Sequence, residues 1–238
     1  MIQNHLLSAL SEAARQDLFS HVTKVFMSLG EVLHQPDAEI QYVYFPETCV
    51  ISILATMDNG STVEAGVVGN EGMVGLRVLL GVKRTPHSAV VQVAGTALRM
   101  RAALLDNELR SVNSALRPLL LPYTQALLTQ LSQSIACVAQ HTIRQRLARW
   151  LLQMADRNGS GSLDLTQELI SLMLSIRRAS AGDTLREFKE ARLIAMRRGG
   201  IRIVDRKGLE SVACECYLIV KKEIDQLYSK PLSPKSQT

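Results

Sequence analysis

Residues 175–188 read SIRRASAGDTLREF, with two adjacent arginines at the head of a helical pattern, and a second pair follows in MRRGGIRIVD, residues 196–205. A guanidinium carries a planar fork of donors that matches guanine O6 and N7, or the oxygens of a phosphate, with two hydrogen bonds. Arg177, Arg178, Ser180 and Asp183 occupy the polar start of the helical pattern, with Arg186 a turn beyond, while Leu185, Phe188 and Leu193 supply its apolar side. Ser180 can meet a base or a phosphate, and Asp183 can accept from cytosine or orient an arginine. Arg197, Arg198 and Arg202 suit phosphate neutralisation, which sets affinity and carries no base information. Thr166 and Gln167, at the start of the preceding helical run, complete the candidate DNA contacts. The competing chemistry is catalysis. No GxSxG elbow, phosphate-binding P-loop or HExxH occurs, and no catalytic residues are expected.

These arginines need two short helices joined by a few residues, then a hairpin: the winged helix-turn-helix, whose second helix enters the major groove. LTQELISLML provides the first helix with Thr166 as N-cap, Arg178 to Ala191 the second, and LIAM, RRGG and IRIV a two-stranded wing. Asp205 caps one final helix, RKGLESVACECYLIVKKEIDQLY, and SKPLSPKSQT reads as a frayed tail. NGSGS, residues 158–162, reads as a flexible loop.

Upstream, Ser11 starts a short helix, and from about Lys24 to Met100 short β-rich runs alternate with turns. Asp58-Asn59-Gly60 marks a hairpin, and Gly66, Gly69, Gly72, Gly75 and Gly81 read as turn glycines of a small barrel. A long helix then spans 114–141, its stripe of Leu116, Leu120, Tyr123, Leu127, Leu131, Ser134 and Val138 read as the seam of a homodimer. Pro122 marks a start or kink of that helix. A further amphipathic helix, TIRQRLARWLLQMADR, leads into the second domain.

Composition fits this division. Residues 1–140 hold 9 Lys+Arg against 11 Asp+Glu, net −2, and residues 141–238 hold 18 against 11, net +7, so the whole +5 excess lies in the C-terminal part. A basic small domain on a near-neutral larger one points to nucleic acid or an anionic surface. With 47% apolar and 21% charged residues the chain is of globular composition. It shows neither a secretory signal nor an apolar run of the ~18 residues a membrane span needs, so a cytoplasmic address away from membranes is expected. Cys49, Cys137, Cys214 and Cys216 show no CxxC. On a continuous helix Cys214 and Cys216 would point roughly 200° apart, so buried, reduced thiols and no metal site are expected.

LTQELISLMLSIRRASAGDTLREFKEARLI, the GGIRIVD wing and the GLESVACECY helix resemble the Crp/Fnr family of transcription regulators. The likeness extends to GEVLHQPDAEIQYVYFPETCVISIL, VEAGVVGNEGMVGLRVLLG and QRLARWLL, nearly the whole chain. It implies an α+β architecture: a cyclic-nucleotide-binding-like β-barrel (jelly roll) over 1–113, a dimerisation helix over 114–141 and a winged helix-turn-helix over 142–238. It also implies a homodimer on two-fold symmetric double-stranded promoter DNA, with RNA polymerase as a further partner. Arg178, Ala179 and Asp183 match the family's base-reading places. Ala179 and Asp183 depart from its better-known members, so the half-site should differ. The nucleotide binders use a Gly-Glu pair for the ribose and an Arg-Ser pair for the cyclic phosphate, where this chain has Gly75-Leu76 and His87-Ser88. Leu76 cannot accept ribose hydroxyls and His87 lacks the guanidinium fork, so cyclic AMP and other cofactors are not expected. The alternative is a small-ligand sensor with an altered pocket at Gly75, Leu76, His87 and Ser88.

Overall fold

A computed structural model describes residues 2–229; residues 230–238, most of the run read as a frayed tail, lie outside the described residues. Asn4 and Ser11 cap the short helices α1 (His5–Ser8) and α2 (Glu12–Phe19), each accepting a backbone N–H of the first turn. Seven strands follow: β1 (Val22–Met27), β2 (Val32–His34), β3 (Tyr42–Pro46), β4 (Val50–Thr56), β5 (Thr62–Val68), β6 (Ser88–Val93) and β7 (Gly95–Arg101). A 3₁₀ turn, Leu76–Leu80, precedes β6. They form two antiparallel sheets, ordered β1-β7-β3 and β2-β6-β4-β5. Met27, Tyr44 and Ala97 from one sheet pack against Ile51, Val68, Ala89 and Val91 from the other, the layering of a jelly roll. The hairpin at 58–60 joins β4 to β5, and there Gly60 alone takes a positive φ, 79°.

After α3 (Ala102–Arg110) comes the long helix α4 (Arg117–Gln140), with Pro118 in its first turn and Pro122 inside it. Pro122 neither starts nor breaks the helix. Its missing N–H forfeits a single bond near the N-terminus, and Leu119, Leu120 and Tyr123 hold the turn onto the barrel core. This anchoring corrects the dimer stripe. Leu116, Leu120 and Tyr123 are 1%, 0% and 3% exposed within their own chain, and the Tyr123 hydroxyl donates to the Met73 carbonyl at 3.3 Å. Leu127, Leu131 and Ser134 are half-buried. Val138 of the stripe does face outward, at 56% exposure, and beside it the outward apolar residues are Leu121, Leu128 and Ile135, at 54%, 53% and 75%. Leu121, Leu128 and Ile135 stand seven residues apart, the spacing of a coiled-coil seam.

Two glycines read as turn residues serve close packing, and neither has a positive φ. A Cβ on Gly72 would sit 2.1 Å from the Tyr123 hydroxyl oxygen, and one on Gly69 would sit 2.4 Å from Arg157 Cβ. Their bareness lets the segment after β5 touch both α4 and α5 (Ile143–Asn158), which Thr142 and Gln145 start as a capping box. α5 is covered on every side. Leu147, Trp150, Leu151 and Met154 are fully buried, and so, nearly, are Arg146, Arg149 and Arg157.

The C-terminal elements are β8 (Ser162–Leu163), α6 (Gln167–Leu174), α7 (Arg178–Glu190), β9 (Ile194–Arg197), β10 (Gly200–Ile203), α8 (Arg206–Val212) and α9 (Cys216–Ser229). The wing has a third strand, order β8-β10-β9, because Ser162 and Leu163 at the end of the NGSGS loop pair with Arg202 and Ile201. Asp205 caps α8 through the Gly208 N–H. The single final helix does not form: Ala213 turns extended and ends α8, and α9 restarts at Cys216. Cys214 therefore lies off the helix on which Cys216 sits, so the 200° divergence does not arise. Both thiols are buried against Cys137. No helix among the described residues is long and apolar enough to cross a membrane.

Candidate nucleic-acid interface and sensor cavity

α6 and α7 are joined by Ser175, Ile176 and Arg177, and Ser175 takes a left-handed φ of 50° that turns the chain sharply between them. α7 is held by its apolar side, where Ala181, Leu185 and Phe188 are at most 1% exposed beside Ile170, Met173 and Leu193. That anchoring leaves Arg177 and Arg178 outside, one as N-cap and the other as first residue of the helix, with no acidic residue in its first turn. Among the described residues Arg177, Arg178, Arg198 and Arg202 form no ion pair, and all four are exposed. Arg177 and Arg178 add their charge to the positive end of the α7 dipole, and Arg198 and Arg202 carry theirs on the wing.

The other candidate contacts are partly engaged. Asp183 pairs with Arg186 at 3.2 Å on the open surface, and Arg197 pairs with Asp164. The Thr166 hydroxyl accepts the Leu169 N–H at 3.1 Å, which caps α6 and leaves its own proton free to donate. Gln167 is exposed and Ser180 half-buried. A strut from outside the motif steadies α7: Arg144 Nε of α5 meets Glu187 Oε1 at 2.5 Å, with its guanidinium over the Phe188 ring.

In the barrel, Gly75, Leu76, His87 and Ser88 do converge, lining one cavity of about 280 Å³ against Leu127, Leu128 and Leu131 of α4. Its walls are mainly apolar. His34 Nε2 donates to the Tyr42 carbonyl at 2.8 Å, and burial lowers that imidazole's pKa. Burial, then the charge of Arg77, lowers the pKa of His87 as well. Both rings are thus biased to the neutral form, and Leu76 offers no acceptor. At Leu76 and His87 the cavity thus offers neither a carboxylate for a ribose nor a guanidinium fork for a cyclic phosphate. Arg77, half-buried in its wall, escaped the sequence reading, since nothing in Leu76-Arg77 shows which side chain turns inward.

Residues 145–212 match the family model of the Crp-like helix-turn-helix domain. Among solved structures the chain is similar to FixK2 from Bradyrhizobium japonicum, with TM-score 0.69 and 15% identity over 81% of this chain and 98% of that one. It is also similar to a CRP-family transcriptional regulator from Thermus thermophilus, TM-score 0.64, 18% identity, covering 80% and 96%. A Crp/Fnr-family transcriptional regulator from Eubacterium rectale aligns with TM-score 0.61 and 17% identity over 87% and 96%. No curated protein matches. The chain carries a Crp-like helix-turn-helix domain on the Crp/Fnr regulator fold.

The sequence reading missed the seam that joins the barrel to the Crp-like helix-turn-helix domain. Arg157 Nε meets Glu71 Oε1 at 2.9 Å with both side chains buried, and also donates to the Val67 carbonyl at 3.2 Å and, through Nη2, to Gln130. Trp150 Nε1 donates to Glu64 Oε1 at 2.8 Å. Burial raises the Glu64 carboxyl above the ordinary carboxylate range, opposed by the bonds from Ser52 and Trp150 and by Arg149 and Arg157. These contacts bind β5 and its following loop to the helix that carries the Crp-like domain.

Proposed function

We propose that the chain is a homodimeric, sequence-specific DNA-binding transcription regulator whose α7 reads the major groove. The observation that carries this reading is the pair Arg177 and Arg178, exposed and unpaired at the start of a helix whose opposite side is locked into the core. Arg178 is assigned to base recognition, and Arg198 and Arg202 to the phosphate backbone. The outward stripe of α4 supports pairing through Leu121, Leu128, Ile135 and Val138 rather than through the buried half of the first stripe. The barrel's apolar cavity suits a small apolar effector better than a cyclic nucleotide.

The test begins with duplexes selected from a random pool, read at two salt concentrations. Arg178→Ala should weaken binding to the selected site by about 1–3 kcal/mol and relax base preference at one position. Arg198→Ala should weaken every duplex alike and reduce the salt slope by about one. Equal losses on selected and random duplexes for both variants would overturn this division of labour. Stoichiometric heat on titration with cyclic AMP would contradict the reading of Leu76 and His87.

A further inference from the structure

We propose that Cys137, His141, Cys214 and Cys216 form a tetrahedral binding site for a soft divalent cation, best matched by Zn²⁺. Cys137 Sγ lies 3.5 Å from Cys214 Sγ, and Cys216 Sγ lies 3.7 Å from His141 Nδ1. All four donor atoms fall within 4.8 Å of one another. Donors held about 2.0–2.3 Å from one tetrahedral Zn²⁺ are roughly 3.5–3.8 Å apart, so a small inward adjustment of the side chains closes the coordination sphere. The donors are too close together to surround a multi-iron cluster, and three thiolates with one imidazole are a structural zinc ligand set.

The backbone explains how the four meet. Cys137 and His141 are four residues apart at the C-terminal end of α4, so their side chains share a face. The break after α8 swings Cys214 back to them, while Cys216 opens α9. A second feature prepares the imidazole: His141 Nε2 lies 3.2 Å from Glu215 Oε2. A carboxylate on the outer nitrogen fixes the ring so that Nδ1 points inward, the arrangement that commonly supports metal-bound histidines. The three thiols are buried and the His141 side chain is 13% exposed, which fits a closed structural site rather than a catalytic one. Three thiolates and one Zn²⁺ sum to one negative charge, and Arg146 and Arg149 are near enough to act electrostatically on Cys137. A Cys137–Cys214 disulfide would need an oxidant and would leave Cys216 and the oriented His141 without a role.

The site ties the end of α4 to the start of α9 across the junction at His141 and Thr142, where the long helix hands over to the Crp-like domain. The bound ion would set the angle of that junction. Its test does not depend on DNA binding. Full-length protein purified without chelator should carry one zinc per chain. After removal of the metal under reducing conditions, Co²⁺ should produce the visible bands of tetrahedral cobalt with thiolate charge transfer, and Zn²⁺ should displace it. Cys214→Ser and His141→Ala should lose this spectrum, and Cys49→Ser should keep it. Glu215→Ala, whose side chain is 70% exposed and so should leave folding intact, should weaken the metal about 10–100-fold. The proposal is overturned if reduced wild-type protein gives only the weak spectrum of octahedral cobalt, or if Glu215→Ala and Cys214→Ser both bind as wild type. Anaerobic isolation of a metal-free chain with a Cys137–Cys214 disulfide would also overturn it.

Discussion

Arg157→Met should cost the protein about 3–5 kcal/mol, because it leaves the carboxylate of Glu71 buried without its cation. The intact pair is 2.9 Å long, with side chains 4% and 6% exposed. At an effective dielectric of about 20 the attraction across that distance is about 6 kcal/mol. Desolvation of two ions consumes most of it, so the pair adds little net stability while its one-sided removal is expensive. The assay is built into the chain. Trp150 is its single tryptophan, fully buried, with its indole N–H on Glu64 at the same seam. Emission during urea unfolding thus reports the loss of that contact. With an m-value of about 3 kcal/mol/M the midpoint should fall by about 1–2 M. Adding Glu71→Gln removes the stranded charge while keeping an amide oxygen for the Gly69 N–H, which Glu71 Oε2 now accepts at 3.0 Å. The double variant should therefore regain more than half of the loss, a coupling that the double-mutant cycle measures. A single variant within about 1 kcal/mol of wild type, or a double variant no better than the single, would refute the reasoning.

Glu64→Gln tests a second carboxyl of the seam. Burial raises the Glu64 pKa above its ordinary 4.5, so its stabilising contribution is complete below that pH and is lost as pH rises through the native value. The glutamine keeps an acceptor for Trp150, and its stability advantage over wild type should grow from acid toward neutral pH; a pH-independent difference would count against the assignment. Ser175→Gly should raise the melting temperature by about 1–3 °C, since a left-handed φ of 50° costs an L-residue about 1–2 kcal/mol, partly offset by the freedom glycine gains when unfolded; a lower melting temperature would exclude strain at this turn. Ile135→Glu, at a side chain 75% exposed, should yield a folded monomer in sedimentation velocity, whereas Leu120→Glu should unfold the barrel. Persistence of a dimer in Ile135→Glu would move the interface elsewhere.

Local signals made the helix-turn-helix legible in advance. Thr166 and Asp205 are caps with short side chains next to the N–H groups they satisfy, and the apolar spacing of Leu185 and Phe188 reveals which side of α7 is held. Long-range contacts were not legible. Arg146, Arg149 and Arg157 belong to a run legible only as an amphipathic helix, and the tertiary structure alone shows both faces of α5 covered and Glu71 placed opposite Arg157. The first half of the dimer stripe failed for the same reason. Leu116, Leu120 and Tyr123 have seam-like spacing, but helical periodicity cannot distinguish a face covered by the chain's own barrel from one left for a partner. The cysteines were misplaced by one backbone break at Ala213, where neither glycine nor proline announces the end of α8.

The buried seam also limits how a signal can act. Lifting the Crp-like domain off the barrel would rehydrate the Arg157–Glu71 pair at little net cost, but it would uncover the buried Trp150 indole, whose ~150 Å² of apolar surface is worth about 4 kcal/mol. Coupling energies between an effector site and a distant one are commonly about 1–3 kcal/mol, too little to open that seam. A signal of that size would leave α7 in place relative to the barrel within one chain. In the proposed homodimer, what a modest signal could change is the crossing of the two α4 helices. The cavity shares Leu127, Leu128 and Leu131 with α4, and Leu128 also belongs to the outward stripe. In that dimer a ligand wedged against these leucines would press on the α4 pairing, and a small rotation there would be amplified at the two copies of Arg178, a rigid-body mode of switching.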